Sequence, residues 1–166
     1  MINIKNIKEK FFFNKNSPFK YIYFLINNLI SRFSFKKSFS QGSMDLILEH
    51  IFKTKNDGFY VDVGCQHPIK NNNTYLLYKK GWSGVNIDLD NVNIDLFNFF
   101  RPNDDNVKSA VSDKIETVKL FYYHQKSPIN TLDKNVSLKQ NAKIEKEIDI
   151  QTNTLTDILN NFSINK

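Results

Sequence analysis

The stretch Gly58–Asp90, GFYVDVGCQHPIKNNNTYLLYKKGWSGVNIDLD, decides how this chain is read. An apolar run, Phe59-Tyr60-Val61, leads into Asp62-Val63-Gly64. A short helical segment follows, then a second run, Val85-Asn86-Ile87, that ends at Asp88. Strand, glycine turn, helix, glycine, strand, acid is the order of a nucleotide-binding half of a doubly wound sheet. Gly64 permits a sharp turn and a close ligand approach, and Asp88 is placed to accept hydrogen bonds from ribose hydroxyls. There is no G-x-G-x-x-G, however: Asp62 sits inside the first strand, and Pro68 stands where a third glycine is expected. The pattern therefore fits one adenosine without a pyrophosphate, a description that S-adenosylmethionine meets better than a nicotinamide or flavin.

Outward from this stretch, Ser40-Gln41-Gly42-Ser43 breaks the chain and a helix is predicted to follow, with Met44, Ile47, Leu48 and Ile51 on one face and Asp45, Glu49 and Lys53 on another. Asn56-Asp57-Gly58 ends it. The first strand, apolar apart from Asp62, reads as covered on both faces. Asp62 is then either satisfied by backbone donors at the turn or part of a cofactor site, since an unpaired buried carboxylate is costly. Residues 71–80 predict a helix stopped at Lys79-Lys80-Gly81. Asp90 or Asn91 starts another, with Val92, Leu96, Phe99 and Phe100 toward the sheet, and Arg101-Pro102 stops it. Residues 106–113 read as a third strand, 117–123 as an edge strand, 124–146 as loop and 147–152 as a further strand. Thr154 caps a last helix with Leu155, Ile158, Leu159 and Phe162 inward.

The chain has 166 residues and a formal charge of +6, distributed unevenly. Residues 1–39 hold eight Lys or Arg against Glu9, a net +7, and residues 40–166 are at −1. Phe19, Ile22, Tyr23, Ile26, Leu29, Ile30 and Phe33 recur there at helical spacing, with Lys20, Asn27 and Ser31 to another side. Three readings stay open for this basic, aromatic arm: a helix packed on the domain or a neighbour, a helix lying on a membrane surface, or a non-specific nucleic-acid contact. No apolar run reaches the length of a membrane span. The start lacks the apolar core and cleavage site of a secretory signal, and the single cysteine, Cys65, suits a reducing compartment. The expected location is cytoplasmic, with peripheral membrane contact through residues 1–39 as an option.

The segments SQGSMD, VDVG, HP, NTY, GWSGVNID and RP, spread from Ser40 to Asp113, resemble the FkbM-type S-adenosylmethionine-dependent methyltransferases. The likeness continues loosely through Thr152–Leu159. The resemblance implies an α/β, Rossmann-like class I methyltransferase fold, of which this chain would hold the N-terminal part: a 1–39 arm and a partial 40–166 domain. It implies S-adenosylmethionine as cofactor and methyl transfer to a hydroxyl of a small molecule or sugar. Asp62 and Gly64 match the first cofactor motif, Asp88 the ribose-binding acid, and Ser112-Asp113 the place where adenine contacts lie; His67, Asn73 and Tyr75 match positions of less defined role. His67 is the one nearby group whose ordinary pKa suits a general base, and beside Pro68 it reads equally as a turn residue.

Two departures carry expectations. Met44 stands where the family has an acid. The family's next strand, with aspartate, glutamate and glycine, does not follow Phe162, so the first strand should keep an open edge unless residues 117–123 and 148–151 fold back to close it. An isolated chain of this kind is expected to lack one wall of a methyl-transfer cleft, to associate or need a partner, and to fall short of a competent enzyme. A non-catalytic, complex-forming piece is the rival reading. An oxidoreductase lacks its glycines, a hydrolase its G-x-S-x-G, and metal catalysis any clustered ligands, with His50, His67 and His124 scattered.

Overall fold

The structure, a computed structural model, describes residues 17, 19–32 and 38–162, with the backbone alone for 27–32. The expectations for residues 1–16, Phe33 and the final Ser163–Lys166, and for the side chains of Asn27, Leu29, Ile30 and Ser31, lie outside that range. The chain forms two compact units: one holds the described residues up to Gly58 together with His67–Trp82, the other Phe59–Gln66 and the residues from Ser83 onward.

In the first unit, α1 spans Phe19–Arg32, a 3-10 turn covers Gln41–Ser43, α2 spans Met44–Ile51 and α3 Tyr75–Lys79. Of the apolar face read on α2, Met44, Ile47 and Ile51 are exposed and Leu48 is half-buried, while Asp45 from the other face is fully buried. The cause is local. Asp45 accepts from Ser38 Oγ at 2.6 Å, Phe39 N at 2.6 Å, Ser40 Oγ at 2.9 Å and Leu46 N at 3.0 Å, so the preceding turn closes around its carboxylate. The SQG turn also docks on the NNNTY segment: Asn72 N donates to Phe39 O at 3.1 Å, and the Phe39 and Tyr75 rings meet edge to face at 4.7 Å. Asn72, rather than the exposed Asn73, is the buried member of that run, and its Oδ1 accepts from Thr74 N and Oγ1.

The second unit is an alternating α/β arrangement. β1 (Phe59–Val63), β2 (Ser83–Asp88) and β3 (Asp105–Lys108) form a parallel sheet in the order β1-β2-β3. α4 (Asn91–Phe100) links β2 to β3, its Ile94 and Phe97 packing with Cys65. α6 (Leu155–Asn160) brings Ile158 onto Val85 and Ile87. Asn98 of α4 is hydrogen-bonded to Asn106 of β3, on the face of the pleat opposite Val85 and Ile87, so α4 and α6 cover opposite faces of the sheet. Gly84 is required by closeness: a Cβ there would lie 2.2 Å from the Tyr60 carbonyl oxygen. Phe99 and Phe100 are only half-buried; the inward residues of α4 are Val92, Asn93, Ile94, Leu96 and Phe97.

The strand expected over 106–113 is two strands in two sheets. β3 ends at Lys108, and β4 (Ala110–Ser112) joins a second sheet with β5 (Thr117–Tyr122) and β6 (Lys146–Thr154) in the order β4-β6-β5. β6 pairs parallel with β4 and antiparallel with β5, which makes β5 an edge as expected. The 124–146 stretch contains α5 (Lys134–Lys139), capped by Asp133.

β5 and β6 do not close the first sheet, and β1 is its terminal strand. Gly64 N donates to Ile87 O at 2.8 Å on the β2 side, so by alternation Phe59, Val61 and Val63 turn their backbone groups to the open edge. Their side chains, expected to be covered, are 37%, 38% and 51% exposed.

Two outcomes follow from this packing. An open apolar strand edge promotes chain-to-chain pairing, so light scattering across a concentration series should show self-association that Val61→Lys suppresses; a wild-type chain that stays monomeric throughout would remove the edge from consideration. Burial raises the Asp45 carboxyl, and its hydrogen bonds to Ser38, Phe39, Ser40 and Leu46 outweigh that and hold it below the ordinary value. A depressed folded-state pKa stabilises above the unfolded value, near ~3.9, and that contribution is lost as pH falls through the folded value. Asp45→Asn should therefore lower stability by about 1–3 kcal/mol at neutral pH and flatten the acid limb of urea-unfolding midpoints against pH.

Candidate functional site

A cleft of about 530 Å³ opens in the second unit at the carboxyl ends of the parallel strands, where open α/β sheets bind ligands. It is lined by Val63 at the end of β1 and Gly64 after it, Asp88 at the end of β2 and Lys108 at the end of β3. One wall is apolar, from Leu120, Ile148 and Ile150 of the second sheet, with Tyr122 beside them; the other end is closed by Gln125, Ser127, Pro128 and Leu132.

Gly64 has φ +72°, which a side chain disfavours, and no atom lies within 4 Å of where its Cβ would stand. The glycine thus turns the chain and leaves open space above it. Gln66 follows in a left-handed conformation, φ 53°, which aims its N–H at Asp88 Oδ2 over 2.9 Å. Asp88 Oδ1 accepts from Asp90 N at 2.8 Å and Asn93 Nδ2 at 3.2 Å. A carboxylate offers about four acceptor positions, so with these three bonds Asp88 is fixed in orientation and keeps capacity on Oδ2 toward the cleft.

Asp90, identified in the sequence only as a helix start, ties the cleft together. Its Oδ1 caps α4 through Val92 N at 2.8 Å and its Oδ2 accepts from Lys126 N at 2.5 Å. One carboxylate therefore holds the 124–132 segment to the end of β2. Lys126 itself has φ 60°, so the loop turns sharply where it meets Asp90. Asn93 also lines the cleft, and its buried Oδ1 has no hydrogen-bond partner.

The remaining sequence candidates are distributed differently. Asp62 is half-buried on β1 and does not line the cleft. Ser112 and Asp113 lie past the lining, where Ser109, Ala110 and Val111 stand instead, and Ser112 Oγ donates to Asp113 at 3.1 Å. His67 belongs to the first unit, where its Nδ1 accepts from Ile69 N and Lys70 N, each at 3.0 Å. An imidazole accepting at Nδ1 carries its proton on Nε2 when neutral, so no lone pair is free to act as a base. Cys65 is buried, and burial first, then the Asp88 and Asp62 charges, push its thiol far above the ordinary value; it is an inert core residue. Among the described residues no cluster of His, Cys, Asp or Glu could hold a metal ion.

The structure thus defines an α/β protein with a ligand-sized cleft at the carboxyl edge of a short parallel sheet. Comparison with protein-family profiles, curated proteins and solved structures returns no match for this chain.

Asp90→Ala should release both ends of its bridge: a loss of about 1 kcal/mol from the α4 cap and faster tryptic cleavage after Lys126. Unchanged cleavage at Lys126 in limited proteolysis would show that Asp90 does not hold the segment.

Proposed function

We propose that the cleft binds the adenosine portion of S-adenosylmethionine and that the chain serves methyl transfer to a hydroxyl of a small molecule or sugar. The observation that carries this is the pairing of an open Gly64 with an oriented Asp88 at the ends of adjacent parallel strands. The cofactor fits the residues present. The cleft lies within the range of small-molecule sites, roughly 300–1,000 Å³, Asp88 Oδ2 retains an acceptor position for a ribose hydroxyl, and the Leu120–Ile148–Ile150 wall offers a flat apolar surface for a base. The FkbM-type resemblance points to the same ligand.

When bound, S-adenosylmethionine supplies a methyl group on a positively charged sulfur. This chain's own residues supply position: Gly64 lets the ligand approach the backbone, Asp88 fixes the ribose, and Asp90 keeps the 124–132 segment at the cleft mouth. Alignment of acceptor and methyl is the larger part of such catalysis. His67, the base expected from the sequence, does not line the cleft, and its Nδ1 is engaged by its own turn. That favours a second reading in one respect: a cofactor-binding piece that reaches competence only with a further strand on the open edge of β1.

Titration calorimetry with S-adenosylhomocysteine tests the proposal, with NAD as the control ligand. Binding of the former and not the latter is expected, weakened at least tenfold in Asp88→Asn, as for loss of a hydrogen bond to a charged group. Circular dichroism must match wild type, because Asp88 also takes three protein donors. A folded wild-type chain that binds no S-adenosylhomocysteine would end the proposal.

A further inference from the structure

α1 exposes a set of apolar side chains in addition to burying Phe24, which is not the usual arrangement of a surface helix. Phe19, Tyr21, Ile22, Leu25 and Ile26 are each between 48% and 54% exposed, while Lys20 and Phe24 are buried, with Lys20 Nζ 5.8 Å from the Phe24 ring centre. At 3.6 residues per turn the five exposed side chains fall on one continuous arc of roughly 160°. They are therefore a face rather than scattered surface residues. The helix carries no acidic residue, and the 39 residues around it carry a net +7.

Charge decides what this face is for. A second copy docking face to face would bring two +7 segments together, a like-charge cost that grows at low salt. An anionic bilayer reverses that sign: it takes the apolar arc into the acyl boundary and the lysines onto its headgroups. α1 has 14 residues, and among the described residues no helix is long and apolar enough to cross a membrane. We infer that α1 lies in the plane of an anionic lipid surface, with Phe19, Tyr21, Ile22, Leu25 and Ile26 buried in it and the net +7 of residues 1–39 supplying the attraction to the headgroups. Two weak signals acting together give the reversible anchoring typical of such segments.

The test uses the full chain with phosphatidylcholine vesicles, alone or mixed with phosphatidylserine. Sedimentation with the mixed vesicles is expected, declining as salt rises, with little binding to phosphatidylcholine alone. Ile22→Ser with Ile26→Ser should lower affinity on the order of a hundredfold, and Lys8→Gln with Lys10→Gln about tenfold to thirtyfold. A Phe19→Trp chain should show a blue-shifted emission on mixed vesicles over the constant background of buried Trp82, a readout that needs no substitution disturbing the fold. No vesicle binding, equal binding to both vesicle types, or an unshifted Phe19→Trp emission overturns the inference. So does a vesicle-free dimer dispersed by the Ile22 and Ile26 substitutions, or binding to single-stranded nucleic acid in place of vesicles.

Discussion

A single buried carboxylate, Asp104, holds the parallel sheet together. It accepts from Tyr60 Oη of β1 at 2.5 Å, from Gly84 N of β2 at 3.0 Å and from Asn86 Nδ2 of β2 at 2.9 Å. Arg101, wholly buried, stands 3.9 Å from it at the end of α4, with Nη1 3.4 Å from Tyr60 Oη and its guanidinium 5.1 Å from the Phe97 ring centre. Burial dominates the protonation of this group. It pushes the Asp104 carboxyl up despite the donors and Arg101, and pushes the Tyr60 hydroxyl far above its ordinary value. A charge taken out of water is tolerated only where partners surround it, and here the partners come from β1, β2 and the α4–β3 connection. The network therefore ties the strands to one another as well as contributing to stability: removing the Asp104 carboxylate takes one shared acceptor from Tyr60 Oη, Gly84 N and Asn86 Nδ2.

That constraint lies at one end of the strands and the cleft at the other. Tyr60 and Gly84 sit near the starts of β1 and β2, and Gly64 and Asp88 at their ends. Because Asp104 sets the β1–β2 register, with Tyr60 opposite Gly84, it also sets Gly64 beside Asp88. The Gln66–Asp88 and Asp90–Lys126 bonds then build outward from that pair, so the polar groups of the cleft are held in fixed orientations.

The alternating α/β order around the parallel sheet was legible because its signals are local: apolar runs of strand length, glycines at the turns, Asp90 and Thr154 as caps. What escaped depended on distant partners. Arg101 read as a helix stop and Asp104 drew no reading, since nothing nearby in sequence announces that Tyr60 and Asn86 donate to the Asp104 carboxylate. The break at Ser109 was hidden because Val107 and Val111 look like one strand; only the pairing of β4 with β6 separates them. The 124–146 segment gave no periodic signal, yet Gln125, Ser127 and Pro128 line the cleft, in a segment tied to Asp90 through Lys126 N and to Phe121 through Thr131. On α2 and α1 the periodicity was visible and its direction was not: hydrophobic spacing shows that a helix has a face, whereas the Ser38–Ser40 hydroxyls around Asp45 decide where the α2 face points.

The outward apolar surfaces of β1 and α1 call for different occupants. β1 presents Phe59, Val61 and Val63 beside a row of backbone N–H and C=O groups on the strand's open side. A bilayer interior cannot satisfy such groups, so an occupant of β1 must bring its own strand. α1 has its backbone bonded within the helix, and its exposed arc asks only for an apolar medium with negative charge at the boundary. The charge division agrees: +7 in residues 1–39, −1 in the rest. The lipid surface inferred for α1 is therefore not an occupant that would suit the β1 edge. A membrane-held chain would raise the local concentration of any strand-bearing partner on the same surface, which couples the two through mass action and without any contact between them.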